Sequence, residues 1–197
     1  MTSANPLGDI DLHLFNEGTH RHLDHCLGAH PDPTGTWFAV WAPNAAAIDV
    51  LGDFDGWTGH RLEPVGDSGI WSGHVAGALV GQSYRYAVTS HYGERTEKSD
   101  PVGAATNEPP STASVIAALD HDWQDAAWMA GRSAHVAPSA PISIYEVHLG
   151  SWGRHLTPGN RFVRYDEIAD PLADHVLAHG FTHVELLPIM EHPFYGS

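Results

Sequence analysis

Between residues 36 and 99 the chain is a succession of short strand-like runs broken by turn residues, and this pattern points to an antiparallel β architecture. The runs are Thr36–Ala42 (TWFAVWA), Ala46–Leu51, Arg61–Val65, Ile70–Val75, Ser83–Ser90 and Arg95–Ser99. Pro43-Asn44, Gly66-Asp67-Ser68-Gly69, the stretch from Gly77 to Gly81, and His91-Tyr92-Gly93-Glu94 punctuate them. Runs this short are strand-sized, and helices are usually longer. Close spacing with glycine turns predicts an immunoglobulin-like antiparallel β-sandwich. Ile48 and Val50 share one face of their strand and belong to the expected core. Trp37, Trp41 and Trp71 alternate with polar residues and are expected in that core too.

The texture differs on both sides of this block. Residues 1–30 read as a lead-in with a short helix. Asp11–Phe15 fits either a strand or a turn of helix, while Thr19 is placed to cap a helix running to Leu27 and stopped by Gly28. Residues 31–105 hold the sandwich. Residues 106–140, rich in Pro, Ala and Ser, read as a linker pinned in part by Trp123 and Trp128. Ile142–His148 (ISIYEVH) is then a strand with little alternation, suited to burial on both faces. Tyr165–His179 repeats Ile168, Leu172 and Val176 at helical spacing, with Gly180 as the stop and Pro171 expected to kink or restart it. Thr182–Leu187 (THVELL) is a second apolar strand. Strand, helix, strand implies a parallel pair. One helix over two strands leaves open edges, so 141–197 is expected to open a larger α/β domain, and the chain to be the front part of a longer protein.

Charge narrows the partners. Nine Lys and Arg face 24 Asp and Glu, a net charge of −15. Binding to phosphate backbones depends on clustered cations, so neither nucleic acid nor an anionic membrane is an expected partner. No apolar run approaches the roughly 20 residues of a membrane span. The N-terminus lacks the basic and apolar regions of a signal peptide, and the single cysteine, Cys26, excludes an internal disulfide, so a cytoplasmic location is expected. Flat amphipathic rings, including seven Trp, suit a neutral, C–H-rich ligand. His20, His22, His25, Cys26 and His30 reach the donor density of a zinc site, but no paired ligand spacing completes a set. Neither a metal nor a cofactor is expected.

Particular motifs carry a family resemblance. Leu14–His20 (LFNEGTH) with Leu27–His30, and Phe38–Ala45 (FAVWAPNA), resemble the opening of bacterial 1,4-α-glucan (glycogen) branching enzymes. Gly52–Trp57 (GDFDGW) resembles the G-D-F-N-G-W loop of carbohydrate-binding module family 48, with Asp55 where asparagine is commoner. Ser99-Asp100-Pro101 resembles the segment after that module's last strands. Ser143–Trp152 (SIYEVHLGSW) resembles the family's first barrel strand, and Gly180–Pro193 (GFTHVELLPIMEHP) its second strand and following loop.

The resemblance spans about residues 12–197. It implies a β-sandwich glucan-binding module, a linker, and the first β-α-β of an incomplete (β/α)8 barrel of the family 13 glycoside hydrolases. The activity implied for the parent, a monomer by expectation, is transfer of an α-1,4-glucan segment to a 6-hydroxyl in glycogen biosynthesis, without cofactor. The family's three catalytic carboxylates follow the fourth, fifth and seventh barrel strands. None of these falls within the 197 residues, so no catalytic residue is assigned; Glu146 and Glu185 are not candidates. The candidate glucan contacts are Trp57 by ring stacking, Arg85 by donation to sugar hydroxyls, and Glu191 and His192 on the loop after the second barrel strand. The alternatives are a stand-alone α-glucan-binding module, or a piece of a debranching or trehalose-forming relative.

Overall fold

The computed structural model describes residues 5–108, 110–154 and 163–190. They divide into two compact units, the first reaching Asp120 and the second running His121–Met190. Among the described residues no helix is long and apolar enough to cross a membrane.

The first unit opens with α1 (Asp9–Asn16). The Asp11 carboxylate accepts the Gly8 N–H at 2.9 Å and closes the first turn, where negative charge is favoured by the helix dipole. Gly18, at φ +71°, ends the helix, and Thr19 donates its backbone N–H to the Leu14 carbonyl. Thr19 therefore follows a helix and does not start one. Only a single 3-10 turn, Leu23–His25, forms before the chain enters the first strand at Gly28. The stop signal at Gly18 belongs to Asp9–Asn16, and this corrects the expected helix from Thr19 to Leu27.

In chain order the strands of this unit are β1 (Gly28–Asp32), β2 (Gly35–Trp41), β3 (Ala45–Gly52), β4 (His60–Arg61), β5 (Glu63–Pro64), β6 (Ile70–Ala76), β7 (Ser83–Ser90), β8 (Arg95–Lys98), β9 (Ala105–Thr106) and β10 (Ser114–Val115). One sheet has the order β1-β2-β6-β5, the other β4-β3-β7-β10-β9 with β8 also on β7. Every pairing in the two sheets is antiparallel. The expected strand Arg61–Val65 is divided between them. His60–Arg61 pairs with β3 and Glu63–Pro64 with β6. Leu62, at the crossing, is fully buried and gives its N–H to the Ile48 carbonyl.

Phe38 and Val40 of β2, Ile48 and Val50 of β3, Leu62, Val75, Tyr84, Tyr86 and Ile116 form the core between the sheets. Since Phe38 and Val40 point inward, the period of two sends Trp37, Ala39 and Trp41 to the other face of β2. The lead-in covers part of that face: Leu7, Cys26 and Leu27 pack with Ala39 and Ile70. Trp41 is 54% exposed, edge-on to Phe15, and Trp37 lies against His74. Of the three tryptophans expected in the core only Trp71 packs against it, its indole N–H donating to the Ala42 carbonyl.

Residues assigned to the linker also belong to this unit. Ser114–Val115 pairs with the start of β7, and Ala113, Ser114 and Ile116 are buried. Asp100 sits buried at this junction. Its carboxylate accepts the hydroxyls of Tyr84 (2.6 Å) and Tyr86 (3.2 Å) and the Val102 N–H, while its own N–H donates to Ser114 Oγ. Burial raises the Asp100 carboxyl above the usual range despite these donors, and both phenols are pushed up by burial beside it.

The second unit contains α2 (Ala126–His135), β11 (Ile144–Val147), α3 (Leu149–Trp152), α4 (Tyr165–Ala178) and β12 (His183–Leu186). β11 and β12 are parallel, Ile144 opposite His183 and Val147 opposite Leu186. The α4 stripe buries Ile168, Leu172 and Val176 as the spacing predicts, and Leu172 and Val176 pack with Val147. α4 runs on through Pro171, and Gly180 at φ +74° follows its end. Trp123 is 73% exposed and touches His121; Trp128 stands on α2 beneath the Arg132 guanidinium.

Candidate functional site: the Gly52–Trp57 loop

The loop grows from the end of β3. Gly52 has no room for a side chain: a Cβ there would lie 2.3 Å from the Ser83 carbonyl oxygen and 2.6 Å from the Phe54 ring. A 3-10 turn, Asp53–Asp55, follows, then Gly56 and Trp57, both at φ +65°. The left-handed region suits Gly56, but for a bulky Trp57 it costs on the order of 1 kcal/mol and persists only when surrounding contacts enforce it.

The Asp55 carboxylate supplies those contacts. Its side chain is only 6% exposed. It accepts the N–H groups of Gly52 (3.1 Å), Trp57 (2.8 Å) and Gly59 (2.6 Å), closing the loop on itself. Burial opposes ionisation of Asp55, but the donors at Gly52, Gly59 and Trp57, with His60 nearby, outweigh it and hold the carboxyl below the ordinary range. Trp57 is left at the surface, 39% exposed. Its indole N–H donates to Asp53 Oδ1 at 3.1 Å, and Asp53 Oδ2 accepts the Ser83 N–H at 2.8 Å.

Arg85 lies on β7 opposite Leu51, one residue before the loop. Its guanidinium donates to Glu97 (3.2 Å) and to the Thr112 hydroxyl (3.0 Å), and its buried Nε has no partner among the described residues. Asn107 donates to the Ser83 hydroxyl. The loop carrying Trp57 starts beside the strand carrying Arg85, at one end of the β3–β7 pair, and the two side chains hold separate partners: the indole bonds Asp53, and the guanidinium bonds Glu97 and Thr112. Ring stacking with surrounding hydrogen bonds is the chemistry that suits a polyhydroxylated, neutral ligand. Asp53, Glu97, Asn107 and Thr112 were not singled out from sequence. The D-x-x-x-W spacing could have signalled Asp53; nothing local signals Thr112, which meets Arg85 from 27 residues away. Glu191 and His192 lie outside the described residues.

The histidine-rich segment is built differently. His20 Nδ1 accepts the His22 N–H, so Nε2 carries the ring proton and donates to Asp11 Oδ1 at 2.9 Å. Cys26 Sγ is 3.9 Å from the same nitrogen. The His20 contact, helped by the Gly8 N–H, lowers the Asp11 carboxyl, while burial and then Asp11 raise the Cys26 thiol. A metal would need the thiolate and a bare Nε2. The contacts among the three residues tie α1 to the turn that follows it.

Residues 26–103 match the family model described as carbohydrate-binding module 48 (isoamylase N-terminal domain). The 1,4-alpha-glucan branching enzyme GlgB of Nocardia farcinica is 48% identical over 201 residues, covering 97% of this chain and 26% of that protein. GlgB of a Jannaschia species is 48% identical over 190 residues, covering 96% of this chain and 27% of its own length. The chain thus spans about a quarter of the length of these relatives. A pullulanase of Klebsiella pneumoniae, solved in complex with maltotriose, superposes with a TM-score of 0.57 at 26% identity, over 83% of this chain and 18% of its own. Along nearly all of its length, then, the chain is similar to the N-terminal part of 1,4-alpha-glucan branching enzymes, and its residues 26–103 match a carbohydrate-binding module 48.

Proposed function

We propose that residues 26–120 serve as an α-glucan-binding module and that the β11-α4-β12 unit begins a (β/α)8 catalytic barrel. The whole protein then transfers α-1,4-glucan segments to 6-hydroxyls, creating α-1,6 branches in a cytoplasmic setting, without a cofactor. The observation that carries this reading is the 48% identity running through both units, where a binding module alone would need only the first. The exposed Ile144, Val184 and Leu186 on the parallel pair fit strands that a larger sheet would flank.

Trp57 is the principal glucan contact in this reading and Arg85 a second. One stacked ring and a few hydrogen bonds support a dissociation constant on the order of 0.1–1 mM. The ligand is neutral, so the affinity should hardly vary with salt. Calorimetric titration of the chain with maltoheptaose tests this. Trp57→Ala should abolish most of the heat with little change in melting temperature; equal affinity in the variant would refute the assignment. The 197 residues alone should leave the iodine spectrum of amylose unchanged, because none of them is assigned as a catalytic carboxylate.

A further inference from the structure

We propose that Asp53 is the positioning residue of Trp57, a role that rests on reading Trp57 as the stacking ring. The two oxygens of this carboxylate face different parts of the fold. Oδ1 accepts the indole N–H at 3.1 Å, and Oδ2 accepts the Ser83 N–H at 2.8 Å, 30 residues along the chain. Gly52 is paired with Tyr84 in the β3–β7 ladder. Ser83 lies one step past that pair, so the Asp53 carboxylate continues the ladder where the backbone of β3 turns away. The indole is thereby referenced to the sheet and not only to its own loop.

The division of labour between the two acids follows. Asp55 holds the Trp57 backbone, through the N–H that the Gly52 carbonyl also accepts, and Asp53 holds the ring. A tryptophan 39% exposed is partly open to solvent, so packing covers only part of the ring and leaves its rotamer less tightly selected than in a core. Without Asp53 the ring would sample several orientations, and ordering it on a sugar face would weaken binding about three- to tenfold. With Asp53 the N–H edge is occupied and turned toward the sheet, and an indole face is left for stacking.

A double-mutant cycle on the whole chain tests this, using Asp53→Ala, Trp57→Phe and the pair. Phenylalanine keeps a stacking ring but has no N–H to hold. Maltoheptaose affinity should fall three- to tenfold on Asp53→Ala in the native background and less than twofold in the Trp57→Phe background. The near-ultraviolet circular dichroism of Trp57, isolated as the difference from Trp57→Phe, should lose intensity in Asp53→Ala. Asp53→Asn, which keeps an oxygen for the indole but turns an amide toward the Ser83 N–H, should fall between. Equal losses in both backgrounds, or an unchanged indole signal, would overturn the positioning role. If the native chain bound no glucan, the stacking assignment would fail, and the indole signal alone would still decide whether Asp53 orients the ring.

Discussion

Replacing Asp55 with alanine tests how the site loop is held. The substitution removes the acceptor for three N–H groups, at Gly52, Trp57 and Gly59. Gly52 is buried and Gly59 half-buried, so water cannot fully replace the carboxylate there, whereas exposed Trp57 can be rehydrated. Two poorly hydrated donors at ~1–2 kcal/mol each give a loss of about 2–4 kcal/mol. Relaxation of the left-handed Trp57 returns about 1 kcal/mol of that. The net expectation is a loss of about 1–3 kcal/mol in urea unfolding at pH 7. The folded-state carboxyl is depressed, so its stabilisation is complete above the unfolded carboxyl's pKa of about 4 and disappears as pH falls through the lower folded value. The gap between native chain and variant should therefore close on acidification below pH ~4. A gap under about 0.5 kcal/mol at pH 7, or one that stays constant down to strong acid, would refute the claim that a charged Asp55 closes the loop.

Gly52→Ala places a methyl group 2.3 Å from the Ser83 carbonyl, so β3 and β7 must part; a calorimetric loss of about 3 kcal/mol is expected, and a neutral result would contradict the close approach. Asp100 has the opposite pH sign to Asp55. Its folded carboxyl is raised, so its contribution is complete below the unfolded pKa and is lost as pH rises through the folded one; carbon NMR of the Asp100 carboxyl should show a midpoint above the ordinary carboxylate range. Leu62→Ala opens a cavity where the chain crosses between the sheets and should cost about 2–5 kcal/mol by denaturant titration, while an exposed-surface effect below 0.5 kcal/mol would mean that Leu62 does not join the sheets.

What the sequence by itself determined is the part of the fold that local rules govern. β2, β3, β6 and β7 lie close to where alternation and turn residues predict them, because a strand's period and a glycine's left-handed conformation depend only on near neighbours. The α4 stripe was legible for the same reason: Ile168, Leu172 and Val176 recur at the helical repeat. The G-D-F-D-G-W motif marked a loop that leaves Trp57 at the surface, as its flanking glycines predict. Which side of a strand becomes interior is not local, and tertiary structure decided it. Trp41 faces outward because Phe38 and Val40 took the side facing the second sheet, and the lead-in covers only part of the other. Arg61–Val65 reads as one strand, yet its halves found edges in different sheets. Ser114–Ile116 reads as linker because two paired residues are too short to show a period, and their partners in β7 and β9 are supplied only by the folded sheet. The site shows the same division: the Asp55 turn is built within a few residues, whereas the bond that carries Asp53 to Ser83 spans 30 residues and exists only once the β3–β7 ladder has brought them together.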